Sequence, residues 1–245
     1  MGILSKIQNC KNQQTPLLAI LIDPNKQDSY LPLLPHLQHT DLIFIGGSTG
    51  ESIEPCITTL RQHTTSPIVL FPGNIAQFSP KADALVFLSL LNSQNVDMLI
   101  TTHIAVAKQV IASGIESIPM GYILLDGNRK SSVEIVSKCT PIPQDNIEQI
   151  VATALAGQLL GKQLIYLEAG SGAKKAVSID IIRAVKDQLH IPLIVGGGIC
   201  TPDAMIQAYQ AGADIVVIGN HFEQYPEEVP SFTDALKEYG IKHSN

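Results

Sequence analysis

The sequence reads LIVGGGICTP over residues 193–202, and this stretch contains the signals that decide the fold. An apolar run without alternation, here residues 193–195, is typical of a strand that is buried on both faces of a parallel sheet. Three glycines follow the run, and Thr201 with Pro202 marks the start of a helix. The stretch therefore predicts one strand–loop–helix unit of an α/β protein.

The same kind of unit recurs along the whole chain. Eight short runs rich in Ile, Leu and Val alternate with longer mixed segments: Leu17–Ile22, Asp41–Ile45, Ile68–Phe71, Ala84–Leu88, Gly121–Leu125, Leu164–Leu167, Leu193–Val195 and Ile215–Ile218. Six of the segments between them have helical character: Asp28–Gln38, Glu51–His63, Met98–Ala112, Gln144–Leu160, Ile179–Gln188 and Pro202–Ala211. Eight such units predict a (β/α)8 barrel, the TIM barrel of the α/β class.

Length and composition agree with one barrel domain. The chain has 245 residues, of which 45% are hydrophobic and 16% charged, so it can bury a large core and has too little charge for a disordered chain. Because no linker interrupts the pattern, we expect a single domain over residues 1–245. One unit is irregular. Residues 72–80 are too short and too rich in Gly, Asn and Pro for a full third helix.

Charge and cysteine content exclude several classes of protein. A net charge of −6 argues against nucleic acid as a partner. The four cysteines form neither a disulfide scaffold nor a zinc site, because they are far apart in sequence: Cys10, Cys56, Cys139 and Cys200. Residues 1–16 lack the apolar run of a signal peptide, and the longest apolar run, Ala84–Leu91, is far short of a membrane span. We therefore expect a cytoplasmic protein, with peripheral membrane contact left open.

Polar residues or glycines follow nearly every apolar run. In (β/α)8 barrels the active site forms at the carboxyl ends of the strands. The residues at these positions are Asp23, GGSTG (46–50), PGN (72–74), DGN (126–128), EAGSG (168–172), GGG (196–198) and GN (219–220). Their occurrence after independent strands predicts an active site at that end of the barrel.

The last two of these groups favour phosphate binding. Barrels often hold phosphate at the loops after strands seven and eight, here around Gly197, Gly198, Gly219 and Asn220. Glycines let the backbone approach a ligand closely, and free N–H groups at a helix start attract an anion. The alternative is that these glycines only form tight turns.

The sixth run supplies a candidate general base. Strand alternation places Tyr166 and Glu168 on one face and Leu167 on the other. At the barrel mouth Glu168 can take a proton from a substrate hydroxyl, while Tyr166 donates a hydrogen bond. The N–H groups of residues 170–172 can reach the same phosphate. The alternative role for Glu168 is to cap a loop.

Asp23, at the end of the first run, has two possible roles. It can cap the helix that begins near Asp28, or it can bind a metal. Mg²⁺ is often held by one or two carboxylates together with substrate phosphate oxygens, and Ser48 after the second run can add a hydroxyl. The sequence alone leaves both roles open.

Taken together, these segments resemble the geranylgeranylglyceryl phosphate synthase family, which includes bacterial heptaprenylglyceryl phosphate synthases. The segments that carry the resemblance are LIDPNK (21–26), IGGSTG (45–50), FPGN (71–74), YLEAGSG (166–172), VGGGI (195–199) and IGN (218–220). They cover almost the whole chain, and their combination is specific although each one is weak. The GGSTG form and the length resemble the larger of the family's two subgroups.

The resemblance implies a function and a site. It implies a prenyltransferase that forms an ether between the 3-hydroxyl of sn-glycerol 1-phosphate and a long-chain prenyl diphosphate, such as geranylgeranyl diphosphate, and that releases diphosphate in ether phospholipid biosynthesis. It implies Mg²⁺ bound by Asp23 and Ser48, and Glu168 and Tyr166 as catalytic residues. The implied glycerol 1-phosphate site consists of Tyr166, Leu167, Glu168, Ala169, Gly170, Ser171, Gly172, Gly197, Gly198, Gly219 and Asn220. It also implies a homo-oligomer, either a dimer or a hexamer.

The chain departs from some relatives at one position. They have a lysine, which reaches the glycerol phosphate, two residues before the metal-binding aspartate, whereas this chain has Leu21. For the prenyl tail we expect an apolar groove where the third helix is missing, near Phe71, Phe78 and Phe87.

The residues also leave two other classes of function open. One is a sugar-phosphate isomerase or aldolase, although no lysine ends a strand to form a Schiff base. The other is a non-catalytic sensor of a phosphate ligand, which has no need of a base such as Glu168.

Overall fold

Each of the eight apolar runs forms a parallel strand. The structure is a computed structural model that describes residues 2–47, 53–74 and 76–243. The strands are β1 (Leu17–Ile22), β2 (Leu42–Ile45), β3 (Ile68–Leu70), β4 (Ala84–Leu90), β5 (Glu116–Leu124), β6 (Leu164–Glu168), β7 (Leu193–Gly196) and β8 (Ile215–Ile218). Each strand pairs with the next, and β8 pairs with β1, so the barrel is closed. The predicted (β/α)8 barrel is confirmed.

Helices connect the strands. The α-helices are α1 (Ile3–Asn12), α2 (Gln27–Tyr30), α3 (Glu54–Arg61), α4 (Thr102–Ser113), α5 (Ser132–Ser137), α6 (Ile147–Leu159), α7 (Ile179–Lys186), α8 (Pro202–Gln210), α9 (Asn220–Gln224) and α10 (Val229–His243). A π-helical turn, Asp97–Thr101, precedes α4, and 3₁₀ segments cover Leu31–His39 and Pro226–Glu228. Within the described residues, none of these helices combines the length and apolar character that a membrane-spanning helix needs.

Two predicted helices are shorter or tighter than expected. The segment Asp28–Gln38 is mostly 3₁₀ helix, because Pro32 and Pro35 lack the N–H groups that an α-helix needs. Of the segment Glu51–His63, α3 covers only Glu54–Arg61, and residues 51 and 52 lie outside the described part. The described residues between 72 and 80 form no helix, which confirms the irregular third unit.

The predicted signals at the ends of α7 and α8 are also confirmed. The Ser178 hydroxyl accepts a hydrogen bond from the Ile181 N–H at 3.4 Å, and Thr201 accepts one from Ala204 at 3.2 Å. Both helices therefore begin with a side-chain cap. Gly212, with φ +111°, ends the turn after α8.

Strand alternation divides the apolar side chains into two cores. In β6, Leu164 and Tyr166 point into the barrel, whereas Ile165 and Leu167 pack against the surrounding helices. Because both faces of the strands are mostly buried in this way, the strands are mainly apolar rather than alternating. Polar groups therefore reach a cavity only beyond the strand ends or from the last interior layer.

Helix α1, which the sequence analysis did not assign, packs at the amino-terminal end of the barrel. Ile3 and Ile7 belong to the interior core. The N–H groups of Ile3 and Leu4 donate to the Glu116 carboxylate at 2.5 and 3.0 Å, so the first residue of β5 caps the helix from outside its own sequence. The opposite end of the barrel remains available for a site.

The position of α1 predicts the cost of removing one of its side chains. Ile7 is 1% exposed, so Ile7→Ala leaves a cavity and should lower the free energy of unfolding by about 2–5 kcal/mol, measured by equilibrium urea denaturation. Leu159→Ala is the control, because Leu159 is 86% exposed, and it should change the value by less than about 0.5 kcal/mol. Equal effects of the two substitutions would contradict this role of α1.

Candidate active site

Two adjoining cavities lie at the carboxyl ends of the strands. The central cavity is lined by Leu21, Asp23, Lys26, Gly46, Gly47, Phe71, Tyr122, Ser137 and Glu223, among other residues. The loop cavity, of about 440 Å³, lies beside it between the loops after β6, β7 and β8 and is large enough for a small ligand. The two share a wall formed by Leu21, Tyr166, Glu168, Ser171, Gly219 and Asn220.

Most of the predicted site residues come together in these cavities. The loop cavity is lined by Tyr166, Glu168, Ser171, Gly172, Gly197, Gly198, Gly219 and Asn220, and Asp23 lines the central cavity. Leu167, Ala169 and Gly170 line neither cavity. Leu167 and Ala169 pack in the outer core, since alternation turns them away from the barrel interior. Ser48 lies outside the described residues.

The Glu168 carboxylate is buried and well hydrogen-bonded. Its Oε1 accepts a hydrogen bond from the Gly170 N–H at 2.7 Å, and the Tyr166 hydroxyl lies beside the same carboxylate. Burial raises the pKa of Glu168, and the interactions with Tyr166 and with the Gly170 N–H oppose part of that rise. Glu168 thus caps its loop, which is the alternative considered from sequence, and it also faces both cavities.

An aromatic layer supports Tyr166 from within the barrel. The centroid of the Tyr166 ring lies 5.1 Å from that of the Tyr122 ring and 5.6 Å from that of the Phe71 ring, and both contacts are edge-to-face. Burial raises the pKa of Tyr166 well above its ordinary value, and the nearby Glu168 charge adds to the effect. Tyr166 therefore stays protonated and remains a hydrogen-bond donor.

The glycines after β7 make room for this arrangement. A Cβ on Gly196 would lie 2.2 Å from the Tyr166 hydroxyl oxygen, so no larger residue fits beside it. Gly197 and Gly198 have φ of +84° and +74°, a left-handed conformation that favours glycine. Their backbone N–H groups find no acceptor among the described residues, nor do those of Ser171 and Gly172. These donors are available to an anion in the loop cavity. Those of Gly197 and Gly198 lie before α8 and are separate from the first turn of that helix, which Thr201 caps.

Asp23 is held in a turn rather than at a helix start. Its Oδ1 accepts hydrogen bonds from the N–H and the side-chain amide of Asn25, at 3.0 and 3.1 Å. Helix α2 begins at Gln27 without a side-chain cap, so the capping role considered for Asp23 is wrong. A Cβ on Gly47 would lie 2.7 Å from Oδ1, so the backbone of the second strand's loop lies directly against this carboxylate.

The surroundings of Asp23 fit a magnesium ion that is completed by substrate. Oδ2 receives no hydrogen bond from any described residue, and the carboxylate faces the central cavity. No group of three His, Cys, Asp or Glu side chains that could hold a metal occurs in the described part of the chain. One carboxylate with phosphate oxygens and water is a common arrangement for Mg²⁺.

Sequence reasoning missed several charged residues of the two cavities. Lys26 lines the central cavity and pairs with Glu223 of α9 at 2.7 Å. Arg129 and His221 line the loop cavity, and the His221 ring pairs with Glu228 at 2.8 Å. Lys26 lies in a segment that resembles the family, and Arg129 directly follows DGN (126–128) at a predicted strand end, but nothing in the sequence around Glu223 indicates a cavity.

A third cavity, the side groove, lies beside β4 and α4. It is mainly apolar, and its lining includes Phe78, Phe87, Leu85, Val106 and Val110. It shares Pro72, Gly73, Leu88 and Met98 with the central cavity, so the two adjoin. Phe78 and Phe87 thus line the groove expected from sequence, whereas Phe71 lines the central cavity.

The fold and these cavities define a class of protein: a (β/α)8 barrel with glycine loops and a buried carboxylate at its carboxyl end. The chain belongs to the PcrB family, which it matches over residues 11–238. The resemblance inferred from sequence is confirmed, because its relatives include proteins named geranylgeranylglyceryl phosphate synthase.

Individual relatives match over nearly their full length. A geranylgeranylglyceryl phosphate synthase of Zunongwangia profunda is 47% identical over 226 residues, which are 90% of this chain and 97% of that protein. One from Korarchaeum cryptofilum is 37% identical over 243 residues, 96% of this chain and 100% of that protein. The crystal structure of (S)-3-O-geranylgeranylglyceryl phosphate synthase from Thermoplasma acidophilum, in complex with its substrate sn-glycerol-1-phosphate, superposes with a TM-score of 0.90. It is 34% identical, and the match covers 97% of this chain and 99% of that one.

The raised pKa of Glu168 predicts how stability depends on pH. Because the folded protein binds this proton more tightly than the unfolded chain, the free energy of unfolding falls as the pH rises from 4.5, the ordinary value, through the raised pKa. Glu168→Gln has no such ionisation. It should unfold at a higher temperature than the parent protein at pH 8, and the difference should shrink as the pH falls below 4.5.

Thermal unfolding across this pH range measures the effect. Glu238→Gln, at an exposed position of α10, is the matched control and should show no such pH-dependent difference. A Glu168→Gln variant that is less stable than the parent at every pH would contradict the prediction.

Proposed function

We propose that this protein is a prenyltransferase that joins the 3-hydroxyl of sn-glycerol 1-phosphate to a long-chain prenyl diphosphate as an ether, with release of diphosphate, in ether phospholipid biosynthesis. One observation carries the proposal: the buried Glu168 carboxylate lies in the wall shared by the loop cavity and the central cavity. A base at that position can serve a hydroxyl bound on one side and an electrophile bound on the other. The names of the relatives support the same reaction.

The loop cavity is the proposed site for glycerol phosphate. The unpaired N–H groups of residues 171, 172, 197 and 198 can bind phosphate oxygens, with Gly219 and Asn220 across the cavity. A phosphate held there directs the glycerol carbons toward Tyr166 and Glu168. Binding both ends of a short substrate fixes its orientation, which lowers the entropic cost of the reaction.

Glu168 is the proposed general base. When ionised, its carboxylate accepts the proton of the 3-hydroxyl as that oxygen forms a bond to C1 of the prenyl chain, while the bond from C1 to the diphosphate oxygen breaks. Burial raises the pKa of Glu168, which makes the ionised carboxylate a stronger base. The Tyr166 hydroxyl lies beside this carboxylate and lowers its pKa, so Tyr166 is the proposed positioning residue.

The central cavity and the side groove are the proposed sites for the prenyl diphosphate. Their shared residues, Pro72, Gly73, Leu88 and Met98, make a continuous path from Asp23 to an apolar wall. The free energy falls when a polyprenyl tail leaves water and packs against such an apolar wall. Lys26 supplies a positive charge near the diphosphate end.

Asp23 and Ser48 are the proposed ligands of Mg²⁺. The position of Asp23 in the lining of the central cavity, with no hydrogen bond to Oδ2 from any described residue, supports this assignment. When bound there, the ion would supply charge neutralisation for the diphosphate. Asn25 holds the carboxylate in place through Oδ1.

Exposed apolar residues support the expected homo-oligomer, a dimer or hexamer, and the expected peripheral membrane contact. Ile100 of the π-helical turn and Ile104 and Ile111 of α4 are 50%, 69% and 82% exposed. Other residues of α4, Val106 and Val110, line the side groove, so a covered face on this helix would also shelter an apolar substrate.

A product assay tests the proposed reaction. The protein with Mg²⁺, radiolabelled sn-glycerol 1-phosphate and prenyl diphosphates of several lengths should yield a product that extracts into organic solvent. Omission of Mg²⁺ with added chelator should abolish the product. If no prenyl diphosphate gives an extractable product, the proposed reaction is wrong, and a sugar-phosphate isomerase or a phosphate sensor becomes the better reading.

Removal of the base should separate catalysis from binding. Glu168→Gln should lower kcat by about 10²–10⁴-fold, the usual contribution of a general base, and leave the Kd for glycerol phosphate largely unchanged. Steady-state kinetics and calorimetry measure the two effects. Tyr166→Phe removes a hydrogen bond that lowers the pKa of Glu168, so the acidic limb of its kcat/KM profile should move to higher pH. Parental turnover in Glu168→Gln would rule out this residue as the base.

A further inference from the structure

We infer that Arg129 binds the phosphate group of the glycerol phosphate substrate and so supplies the positive charge that this site would otherwise lack. The inference rests on the proposed function and adds a residue to the same site. Arg129 lies on the loop between β5 and α5, directly after the strand-end residues DGN (126–128), and the sequence assigned it no role.

The charge balance of the loop cavity gives the first argument. Among the described residues that line this cavity, Arg129 is the only lysine or arginine, and Glu168 is the only acid. Position 21, where some relatives have a lysine, is an apolar Leu21 in the same wall. A phosphate bound next to the Glu168 carboxylate needs a cation to offset the repulsion between them, and Arg129 is the group available for it.

The guanidinium is held at the loops that would bind phosphate. Its Nη1 donates to the Gly172 carbonyl oxygen at 3.2 Å, and a Cβ on Gly172 would lie only 2.8 Å from the same nitrogen. The head group therefore lies against the loop whose free N–H groups face the cavity. Guanidinium donors form a planar fork that matches phosphate oxygens, and one contact to Gly172 leaves most of them available.

The backbone fixes the loop that carries Arg129. Asn128 has φ +57°, and its N–H donates to Asp126 Oδ1 at 2.8 Å, so the chain turns sharply just before the arginine. The N–H groups of Lys174 and Lys175 both donate to the Gly127 carbonyl oxygen, at 2.9 and 3.1 Å. These bonds join the loop after β5 to the loop after β6.

The available partners of Arg129 also favour a ligand. No carboxylate of the described residues lies within ion-pair distance of it, unlike Lys26, which is already paired with Glu223. Its neighbour Lys130 is also exposed but lines none of the three cavities. The two adjacent cations therefore differ in position and not in charge, which makes Lys130 a matched control.

The test compares Arg129→Gln, Arg129→Lys and Lys130→Gln. Because Arg129 is exposed, its loss should raise the KM for sn-glycerol 1-phosphate and the Kd for inorganic phosphate by about tenfold each, the effect of a lost charge-assisted hydrogen bond. The KM for the prenyl diphosphate and the melting temperature should not change. The KM and Kd values of Arg129→Lys should lie between those of the parent and Arg129→Gln, and the values of Lys130→Gln should match those of the parent.

Calorimetry with inorganic phosphate keeps the inference separate from the proposed reaction. If the parent protein binds phosphate but forms no ether, the proposed reaction fails, while a tenfold loss of phosphate binding in Arg129→Gln still supports the inference. Parental phosphate affinity in Arg129→Gln overturns the inference even where ether synthesis is intact. An equal rise in both KM values with a lower melting temperature would also overturn it, because that pattern indicates only a loop tether.

Discussion

The burial of the Glu168 carboxylate is the constraint on which the rest of the site depends. An ionised carboxylate inside a protein is costly unless hydrogen bonds compensate for the lost water. Here the Gly170 N–H donates one at 2.7 Å, and the Tyr166 hydroxyl beside the carboxylate also favours its charged form. To fit both groups, the β7 loop must approach so closely that Gly196 and Gly197 cannot carry a Cβ. One buried charge therefore explains the tyrosine, the loop conformation and the glycines around it.

The barrel confines this chemistry to one end. Because side chains alternate along each strand, the interior is filled by apolar layers up to the aromatic group around Tyr166 and Phe71. Helix α1 packs at the opposite end, with its own start capped by Glu116. Polar atoms gather only where the strands stop. The missing third helix then leaves the side groove open next to the polar end, so an apolar and an anionic ligand region adjoin without a second domain.

The sequence predicts this fold well because strand periodicity is local and repeats eight times. The sequence also contains a local signal for the start of α5. Ser131 and Glu134 have the spacing of a capping box, and the Ser131 hydroxyl does cap α5 by accepting a hydrogen bond from the Glu134 N–H. β5 begins at Glu116, five residues earlier than the run expected from sequence. Pro119 lies within the added segment, and proline disfavours a strand interior, so the sequence pattern does not indicate the earlier start.

Contacts between distant loops are the part of the site that the sequence could not predict. Arg129 reaches the loop cavity only because Gly127 is bonded to the loop after β6, and Lys26 meets Glu223 across 197 positions of sequence. Neither contact leaves a periodic pattern. The alternation rule, by contrast, placed Tyr166 and Glu168 on one face and Leu167 on the other.

A chain with a net charge of −6 can still have a site suited to two anions, because local donors outweigh the global charge at short range. Asp23, Glu168 and Glu223 make the central cavity acidic, and Lys26 offsets only part of that charge. A diphosphate at that position requires a further cation, which is the electrostatic reason to expect Mg²⁺ beside Asp23. The loop cavity is different, since it offers backbone N–H groups and has Glu168 as its only acidic residue among the described lining. The two cavities thus differ in electrostatics: an anion in the central cavity would need a further cation, whereas the loop cavity offers backbone N–H groups, and Glu168 lies in the wall between them.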